Sequence, residues 1–202
     1  MGEAINILEF LKFSEKLKTQ KRSVQNSDKD YESSADHSWH LALMALLVEP
    51  HLKEKINLLK TLKMIIVHDL TEAEIGDLPY ERGINNSLLF NKKEREEKEE
   101  IERIRQEVSK INKNLSEEIY SLWHEYKERK TKEALFVKAL DSMEANFQSI
   151  ILEDISYWGD LDHEMFVNKA DKYCKHEEIL KELNSEISKR MKKEITKVKN
   201  KE

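Results

Sequence analysis

Two adjacent residues, His68 and Asp69, begin a polar segment whose side chains suit a metal-dependent reaction. An imidazole and a carboxylate are both ligands of divalent cations. In a helix, Glu72 would lie one turn from His68 and also close to Asp69, so that three side chains converge on one site. Asp77 follows Gly76 and supplies a further carboxylate. Because isolated His-Asp pairs are common by chance, the site needs support from the rest of the chain.

The helix that would carry this segment changes character along one face. We predict that it spans residues 53–73, after Pro50. The face is apolar for two turns and then becomes acidic, through Leu58, Leu62, Ile65, Asp69 and Glu72. Buried carboxylates are costly unless a cation or hydrogen bonds compensate them. A bound metal ion is therefore the simplest explanation of the acidic end.

Two further candidate ligands lie on other predicted helices. His37 is near the start of an early helix, and Asp141 borders the apolar stripe of a later one. With His68 and Asp69 they offer nitrogen and oxygen donors that suit Mn, Co, Fe, Zn or Mg, and the lack of thiolates disfavours a structural zinc site. We therefore predict one divalent ion. His40, one turn from His37, is expected to pack or to support a ligand rather than to bind the ion.

The composition indicates a single all-α domain. The chain has 202 residues, of which 39% are apolar and 37% charged, with four Gly and two Pro, a balance typical of amphipathic helices. Cys174 is the one cysteine, so an internal disulfide is excluded and a reducing, cytoplasmic compartment is expected. Surrounded by charged residues, Cys174 is also a poor candidate for a nucleophile. We expect no membrane insertion, because no apolar run is long enough to cross a bilayer.

The formal net charge of -5 is unevenly distributed along the chain. Residues 189–201 carry seven Lys or Arg and one Glu, a local charge of +6, so the rest of the chain sums to -11. An acidic body lacks the clustered cations that duplex DNA requires, and no specific nucleic-acid binding is expected. The basic tail is interpreted as a solvated helix end.

Hydrophobic periodicity predicts helices along most of the chain. The polar segment 23–33 is predicted to be a loop, and residues 77–91 a non-periodic segment that could serve as a lid. Residues 34–49 include a continuous apolar run, which predicts a central helix buried on nearly all sides. Residues 91–110 interleave seven Lys or Arg with seven Glu, which predicts a solvated helix. Further helices are predicted over residues 3–19, about 160–174 and 176–199. Two more are predicted to begin at caps, one at a capping box formed by Asn114 and Glu117 and the other at Thr131.

Several enzyme classes are excluded because their motifs are missing. Gly occurs only at positions 2, 76, 83 and 159, so neither a phosphate-binding glycine loop nor a dinucleotide fingerprint can form. The sequence also lacks a G-x-S-x-G nucleophile elbow and the zinc-protease motif H-E-x-x-H.

Three segments together resemble the HD-domain phosphohydrolases. They are A-D-H-S-W-H at 35–40, V-H-D-L-T-E-A-E-I-G-D at 67–77 and F-V-K-A-L-D at 136–141. Within that superfamily the pattern is most similar to the small 5′-deoxynucleotidases. The similarity covers roughly residues 5–155, and the E-x-x-x-x-D extension after His-Asp is much more specific than His-Asp alone.

The resemblance implies a fold, a cofactor and an activity. The fold is an all-α HD-domain helical bundle over residues 1–155, with C-terminal helices in residues 156–202 that pack on or extend the same domain. The activity is removal of the 5′-phosphate from deoxynucleoside monophosphates. The implied ligands of the divalent metal ion are His37, His68, Asp69 and Asp141.

The resemblance also implies roles in the reaction. Glu72 would help to activate the attacking water, and Asp77 would support the substrate or the water network. The segment L-K-x-x-x-R at 17–22 resembles one that supplies a phosphate-binding arginine, which here is Arg22. Ser23 follows it, where close relatives often carry Trp.

Several alternatives stay open at this point. The cations that end with Arg22 also suit the C-terminus of the first helix, because the helix macrodipole favours positive charge there. Lys138, one turn before Asp141, is able either to offset phosphate charge or to pair with Asp141. The protein could instead act on another nucleotide, namely a triphosphate, a cyclic nucleotide or an alarmone, or it could be a non-catalytic helical interaction module. Apolar positions on the outer helices also predict a homodimer.

Overall fold

The computed structural model describes residues 2–78, 87–151 and 170–199. They form a helical bundle with one short hairpin, as the composition predicted. The α-helices are α1 (Glu3–Ser14), α2 (Ser34–Val48), α3 (Leu58–Val67), α4 (Glu72–Ile75), α5 (Ser87–Ser109), α6 (Lys113–Glu128), α7 (Lys132–Ile151), α8 (Asp171–Cys174) and α9 (Glu178–Lys199). Short 3₁₀ helices follow α1 at Glu15–Lys18 and α2 at Glu49–His51, and the strands are β1 (Lys21–Gln25) and β2 (Tyr31–Ser33).

Helix α7 lies at the centre of the bundle and contacts α2, α3, α6 and α9. It is buried on several sides, and Phe136, Leu140 and Met143 are among its fully buried side chains. Its start is capped as predicted, since Thr131 Oγ1 accepts a hydrogen bond from the Ala134 N–H at 3.3 Å. This central helix therefore fixes the relative positions of the elements that carry the site.

Helix α2 does not have the central position that its apolar run predicted. One stripe faces the core, but Trp39, Leu43, Leu46 and Leu47 are exposed in the described monomer. An apolar run alone does not distinguish a buried core from a face that is left for another surface. Its N-terminus was predicted correctly, because Ser33 forms a reciprocal capping box with Asp36.

The long helix predicted over residues 53–73 is wrong at both ends. Helix α3 starts at Leu58, where the Asn57 side chain caps it, and ends at Val67. Hydrogen bonds between residues three apart then tighten the backbone, including Leu70 N–H to Val67 O at 3.2 Å and Glu72 N–H to Asp69 O at 2.9 Å. The His-Asp pair therefore lies in a tight turn that connects α3 to the short helix α4.

Gly76 ends α4. Its φ of 74° lies in the left-handed region, which glycine adopts at no steric cost. Of the segment 77–91 that we predicted as a lid, residues 79–86 lie outside the described residues.

A hairpin replaces most of the loop predicted over residues 23–33. Strand β1 pairs antiparallel with β2, with Lys21 opposite Ser33 and Gln25 opposite Tyr31 and a register irregularity between the two pairs. Period-two alternation turns Arg22 and Val24 toward the interior. Because this segment is polar, its composition did not predict a strand. In β1 the charged residue Arg22 nevertheless faces inward.

Helix α5 is not simply a solvated helix. It carries ion pairs along its surface, but Ile101, Ile104 and Val108 are buried and form a second apolar cluster with Trp123 of α6. Helix α6 begins one residue after Asn112, whose side chain accepts a hydrogen bond from the Leu115 N–H. The capping box that we predicted at Asn114 is therefore wrong.

The C-terminal helices pack onto the main core. Leu180, Ile187 and Met191 of α9 belong to the same apolar cluster as α7. The division near residue 155 adjoins residues 152–169, which lie outside the described part of the chain, so this boundary stays a prediction. None of the helices in the described ranges is long and apolar enough to span a membrane.

Candidate active site

The side chains singled out as metal ligands converge from three parts of the fold. His37 Nε2 of α2 lies 3.3 Å from Asp141 Oδ1 of α7, and His68 Nε2 lies 3.1 Å from Asp69 Oδ2 in the turn after α3. One donor atom each from His37, His68 and Asp141 fall within 4.8 Å of one another. This spacing is compatible with three donors around one cation. Asp69 is not part of that set but lies beside it through its contact with His68.

Hydrogen bonds set which nitrogen of each imidazole faces the site. His37 Nδ1 lies 2.7 Å from Glu144 Oε2, and His68 Nδ1 lies 2.7 Å from the Ile65 carbonyl oxygen. Because these oxygens are acceptors, the neutral form of each imidazole carries its proton on Nδ1 and keeps the lone pair on Nε2. Both Nε2 atoms are buried and make no hydrogen bond within the described residues. A pair of oriented, buried lone pairs facing carboxylates fits a divalent cation.

The electrostatics of the site also favour a cation. Burial and the Arg22 charge act to lower the pKa of His37, but the Glu144 and Asp141 carboxylates outweigh them and raise it to about 10. This shift is a measure of how strongly negative the surroundings of the imidazole are. The same surroundings stabilise a divalent ion, which would hold the imidazole in its neutral form.

Asp141 is held by two groups on the side away from His37. Tyr126 Oη donates to Asp141 Oδ2 at 2.8 Å, and Lys138 Nζ lies 2.5 Å from the same oxygen. Oδ1 is left to face the imidazole. Of the two alternatives for Lys138, the geometry favours pairing with Asp141.

Arg22 reaches the site from β1 rather than from the end of a helix, so the macrodipole interpretation of this residue is wrong. Its Nη1 lies 3.3 Å from Asp69 Oδ2, and its Nε lies 3.2 Å from Glu32 Oε2. Although burial acts against the charged form, Asp77 and Asp69 raise the pKa of Arg22, which therefore stays cationic. The hairpin thus places a fixed positive charge beside the His-Asp pair.

Glu72 lies at the start of α4 and is buried next to the site. Its Oε2 accepts a hydrogen bond from Ser34 Oγ at 2.8 Å, and its Oε1 lies 3.4 Å from Lys93 Nζ. Burial, together with the charges of Asp69 and Asp77, raises the pKa of Glu72 to about 8. A carboxyl group tuned in this way is able to exchange a proton near neutral pH.

The sequence interpretation missed several residues at the site. Glu144, which is fully buried, accepts from His37 and also lies 2.9 Å from His40 Nδ1. A signal for it was present, since Glu144 interrupts an apolar stripe three residues after Asp141. Lys93 carried no comparable signal within the charged sequence of α5. The other missed residues are Ser34, Glu32 and Tyr126.

Comparison with known proteins identifies the family. The model of a family described as "HD domain" matches residues 14–199. The chain belongs to the HD-domain family. The resemblance indicated by the three sequence motifs is thereby confirmed.

This HD-domain chain is similar to several proteins named 5′-deoxynucleotidase HDDC2. The Xenopus laevis protein is 30% identical, with 87% of this chain and 83% of the relative covered. The Danio rerio protein is 31% identical, with 90% and 88% covered. The Dictyostelium discoideum protein is 35% identical, with 71% and 76% covered.

Solved structures share the fold over nearly the whole chain. A crystal structure of a predicted metal-dependent phosphohydrolase from Magnetospirillum magnetotacticum has a TM-score of 0.74 and 25% identity, with 96% of each chain covered. The PH0347 protein from Pyrococcus horikoshii has a TM-score of 0.66 and 26% identity, with 91% of this chain and 99% of that chain covered. The arrangement of helices around the site is therefore common to this HD domain and to these structures.

Proposed function

We propose that this HD-domain chain is a metal-dependent 5′-nucleotidase that hydrolyses (deoxy)nucleoside 5′-monophosphates to nucleoside and phosphate. The observation that carries the proposal is the pair of buried, unbonded Nε2 atoms of His37 and His68 facing the Asp69 and Asp141 carboxylates. Similarity to proteins named 5′-deoxynucleotidase over most of the chain supports the choice of substrate.

One divalent ion, Mn, Co, Fe, Zn or Mg, would be held by the two histidines and the two aspartates. When bound, such an ion supplies Lewis-acid chemistry, since it withdraws charge from a phosphoryl oxygen and acidifies water. The protein contributes preset donors: Glu144 and the Ile65 carbonyl fix the two imidazoles, and Tyr126 fixes Asp141.

Glu72 accepts the proton of the attacking water in the proposed reaction. Ser34 holds one oxygen of its carboxylate, so that the group keeps one orientation inside the buried site. Asp77, which follows Gly76 in the chain and has a side chain that is only 17% exposed, orients the substrate or the water next to Glu72. Because the Glu72 carboxylate has a fixed position, little reorganisation is needed when the proton moves.

Arg22 offsets negative charge on the phosphoryl group. Its planar fork suits a phosphate, and Asp69 and Glu32 hold the side chain at the edge of the site. Lys138 adds positive charge through its ion pair with Asp141 rather than by direct contact with the phosphate. These two cations would lower the cost of bringing a phosphate dianion among so many carboxylates.

Phosphate release from deoxynucleoside monophosphates, after chelation and reloading with each metal in turn, tests the proposal. Wild type is expected to release phosphate with at least one metal, and Asp69→Ala to lose both the metal and the activity. Glu118→Ala, at an exposed position on α6, controls for the loss of a carboxylate. A wild-type protein that releases no phosphate with any metal contradicts the proposal.

Analysis of the products tests the substrate class. A 5′-nucleotidase releases phosphate from monophosphates, whereas an HD phosphohydrolase for triphosphates would release pyrophosphate or triphosphate. Because Ser23 follows Arg22 where close relatives often carry Trp, ribose and deoxyribose substrates need to be compared with the same base.

We also infer that the protein forms a homodimer. The exposed apolar side chains of α2, which are Trp39, Leu43, Leu46 and Leu47, support this inference. Light scattering on the purified protein measures its mass, and a monomer at assay concentration contradicts it. The cytoplasmic location and the lack of specific nucleic-acid binding stay predictions.

A further inference from the structure

Lys93 is a partly buried cation that reaches the site from α5, a helix without any of the recognised motifs. Its Nζ donates to the Gly76 carbonyl oxygen at 2.9 Å and lies 3.4 Å from Glu72 Oε1 and 3.9 Å from Asp77 Oδ1. Only 17% of the side chain is exposed. Lys93 therefore bridges the two carboxylates and the turn that separates them.

The inward position of Lys93 is not shared by the neighbouring lysine on α5. Lys92 is 59% exposed and pairs with Glu96 along the surface of α5. Such exposed pairs contribute little free energy. Lys93 points inward, away from these pairs, and its partners come from α4 and from the residues after it.

The two other cations near the site are already engaged. Arg22 contacts Asp69 and Glu32, and Lys138 contacts Asp141. Glu72 lies between the negative charges of Asp69 and Asp77, and among these three cations Lys93 makes the direct contact with its carboxylate. Without this contact, repulsion would drive Glu72 and Asp77 apart or favour protonated Glu72.

We propose that Lys93 is a positioning residue, which holds the Glu72 and Asp77 carboxylates near each other across the Gly76 turn and so keeps Glu72 in place for the reaction. This inference rests on the proposed function, because it assigns Lys93 to the proton-accepting step of that reaction. Gly76 takes part through its backbone, since its left-handed φ ends α4 and its carbonyl oxygen binds Lys93 Nζ.

Steady-state kinetics of Lys93→Met, which removes the charge but keeps most of the stem, test the proposal. We expect kcat to fall about 10- to 100-fold, as for a misplaced reacting group, while KM and the bound metal stay near wild type. Lys93→Arg restores the charge and is expected to recover part of kcat. Lys92→Met is the matched control and is expected to be as active as wild type. A higher KM with unchanged kcat would instead make Lys93 a substrate ligand, and loss of metal would make it structural; either result overturns the proposal.

The pH profile of kcat distinguishes the proposed role of Lys93 from a purely structural one, because a purely structural role would not change the profile. The charged groups that act on Glu72 are Asp69, Asp77, Lys93 and Arg22. Removing the Lys93 charge leaves more negative charge around Glu72, so the acid limb of the profile is expected to move to higher pH in Lys93→Met. An unchanged acid limb contradicts the proposal.

A double-mutant cycle on unfolding tests the contact without any need for turnover. In metal-free protein at a pH above the pKa of Glu72, Lys93→Met is expected to lower the urea midpoint more when Glu72 is present than in the Glu72→Gln background. If the changes in urea midpoint of the two single variants simply add in the double variant, the proposal is overturned. If wild type shows no nucleotidase activity but the cycle shows coupling, the proposed function fails and the Lys93–Glu72 contact stands.

Discussion

Glu72 and Asp69 are three residues apart, yet their surroundings give the two carboxylates opposite tendencies. Burial and neighbouring negative charges raise the pKa of Glu72 to about 8. Burial acts on Asp69 in the same direction, but His68 and Arg22 outweigh it and lower the pKa of Asp69. Two carboxyl groups whose pKa values are pushed apart suit different roles, one as a proton carrier and one as a permanently charged ligand.

This division of roles predicts the effect of Glu72→Gln. The variant keeps the size of the side chain and its contact with Ser34 but cannot accept a proton. We expect kcat to fall about 10²- to 10⁴-fold, with the metal content unchanged by elemental analysis. Loss of the metal in this variant would show that Glu72 is a ligand and would contradict the assignment.

Glu144 orients two histidines from a fully buried position, so its removal is predicted to weaken metal binding. Glu144→Gln is nearly isosteric, but it exchanges the charged acceptor for a neutral amide that cannot hold both Nδ1–H groups equally well. We expect the Kd for the metal to rise about 10- to 100-fold, as measured by calorimetry. Glu118→Gln makes the same chemical change at an exposed site and is expected to bind as wild type does. Equal affinities for both variants would contradict the role of Glu144.

At the scale of elements, sequence patterns predicted which segments form helices, but they did not predict which side chains from different elements contact each other. The core stripe of α7 and the capping box of α2 follow from local periodicity and local hydrogen bonds. The end of α3 at Val67 lies in a segment whose apolar and acidic residues keep a helical spacing, so periodicity did not reveal it. The β1–β2 hairpin places Arg22 against Asp69, which is 47 residues away, and a single sequence does not show that pairing. Lys93 was missed for the same reason, because its partners are 16 to 21 residues away. The partners of Glu144 are 104 to 107 residues away, and its place in an apolar stripe was the one local signal for it.

The packing of α9 on the central cluster predicts that the C-terminal helices stabilise the whole domain. Met191 is fully buried in the cluster that contains α7. Met191→Ala is expected to lower the free energy of unfolding by about 2–5 kcal/mol, as for other large-to-small changes in cores. The exposed neighbour Lys192 gives the control Lys192→Ala. If Met191→Ala lowers the free energy of unfolding in urea by less than about 1 kcal/mol, α9 folds apart from the core.

For the whole molecule, clustered carboxylates make stability depend on pH when no metal is bound. Burial and Glu144 raise the pKa of Glu32 from 4.5 to about 7, that of Glu72 rises from 4.5 to about 8, and that of His37 rises from 6.5 to about 10. In each case the folded state binds protons that the unfolded state has released. Stability from these groups is therefore present at low pH and is lost as pH rises through their folded pKa values. The lowered pKa values of Asp69, Asp141 and Glu144 act in the opposite sense, but only on acidification below their unfolded values.

We therefore expect the urea midpoint of the chelated protein to fall between about pH 6 and about pH 9. Added divalent cation is expected to stabilise the protein more at the higher pH, because the ion competes with protons for the same donors. A midpoint that is constant or rises over this range would contradict this description of the site.

The most direct test of the account is a titration of the chelated protein with the activating metal while phosphate release from a deoxynucleoside monophosphate is measured. We predict that the rate rises to a plateau at one cation per chain for wild type and stays at background for Asp69→Ala. No phosphate release at any metal concentration, or equal release by the Asp69→Ala variant, would contradict the claim that this HD domain is a metal-dependent nucleotidase.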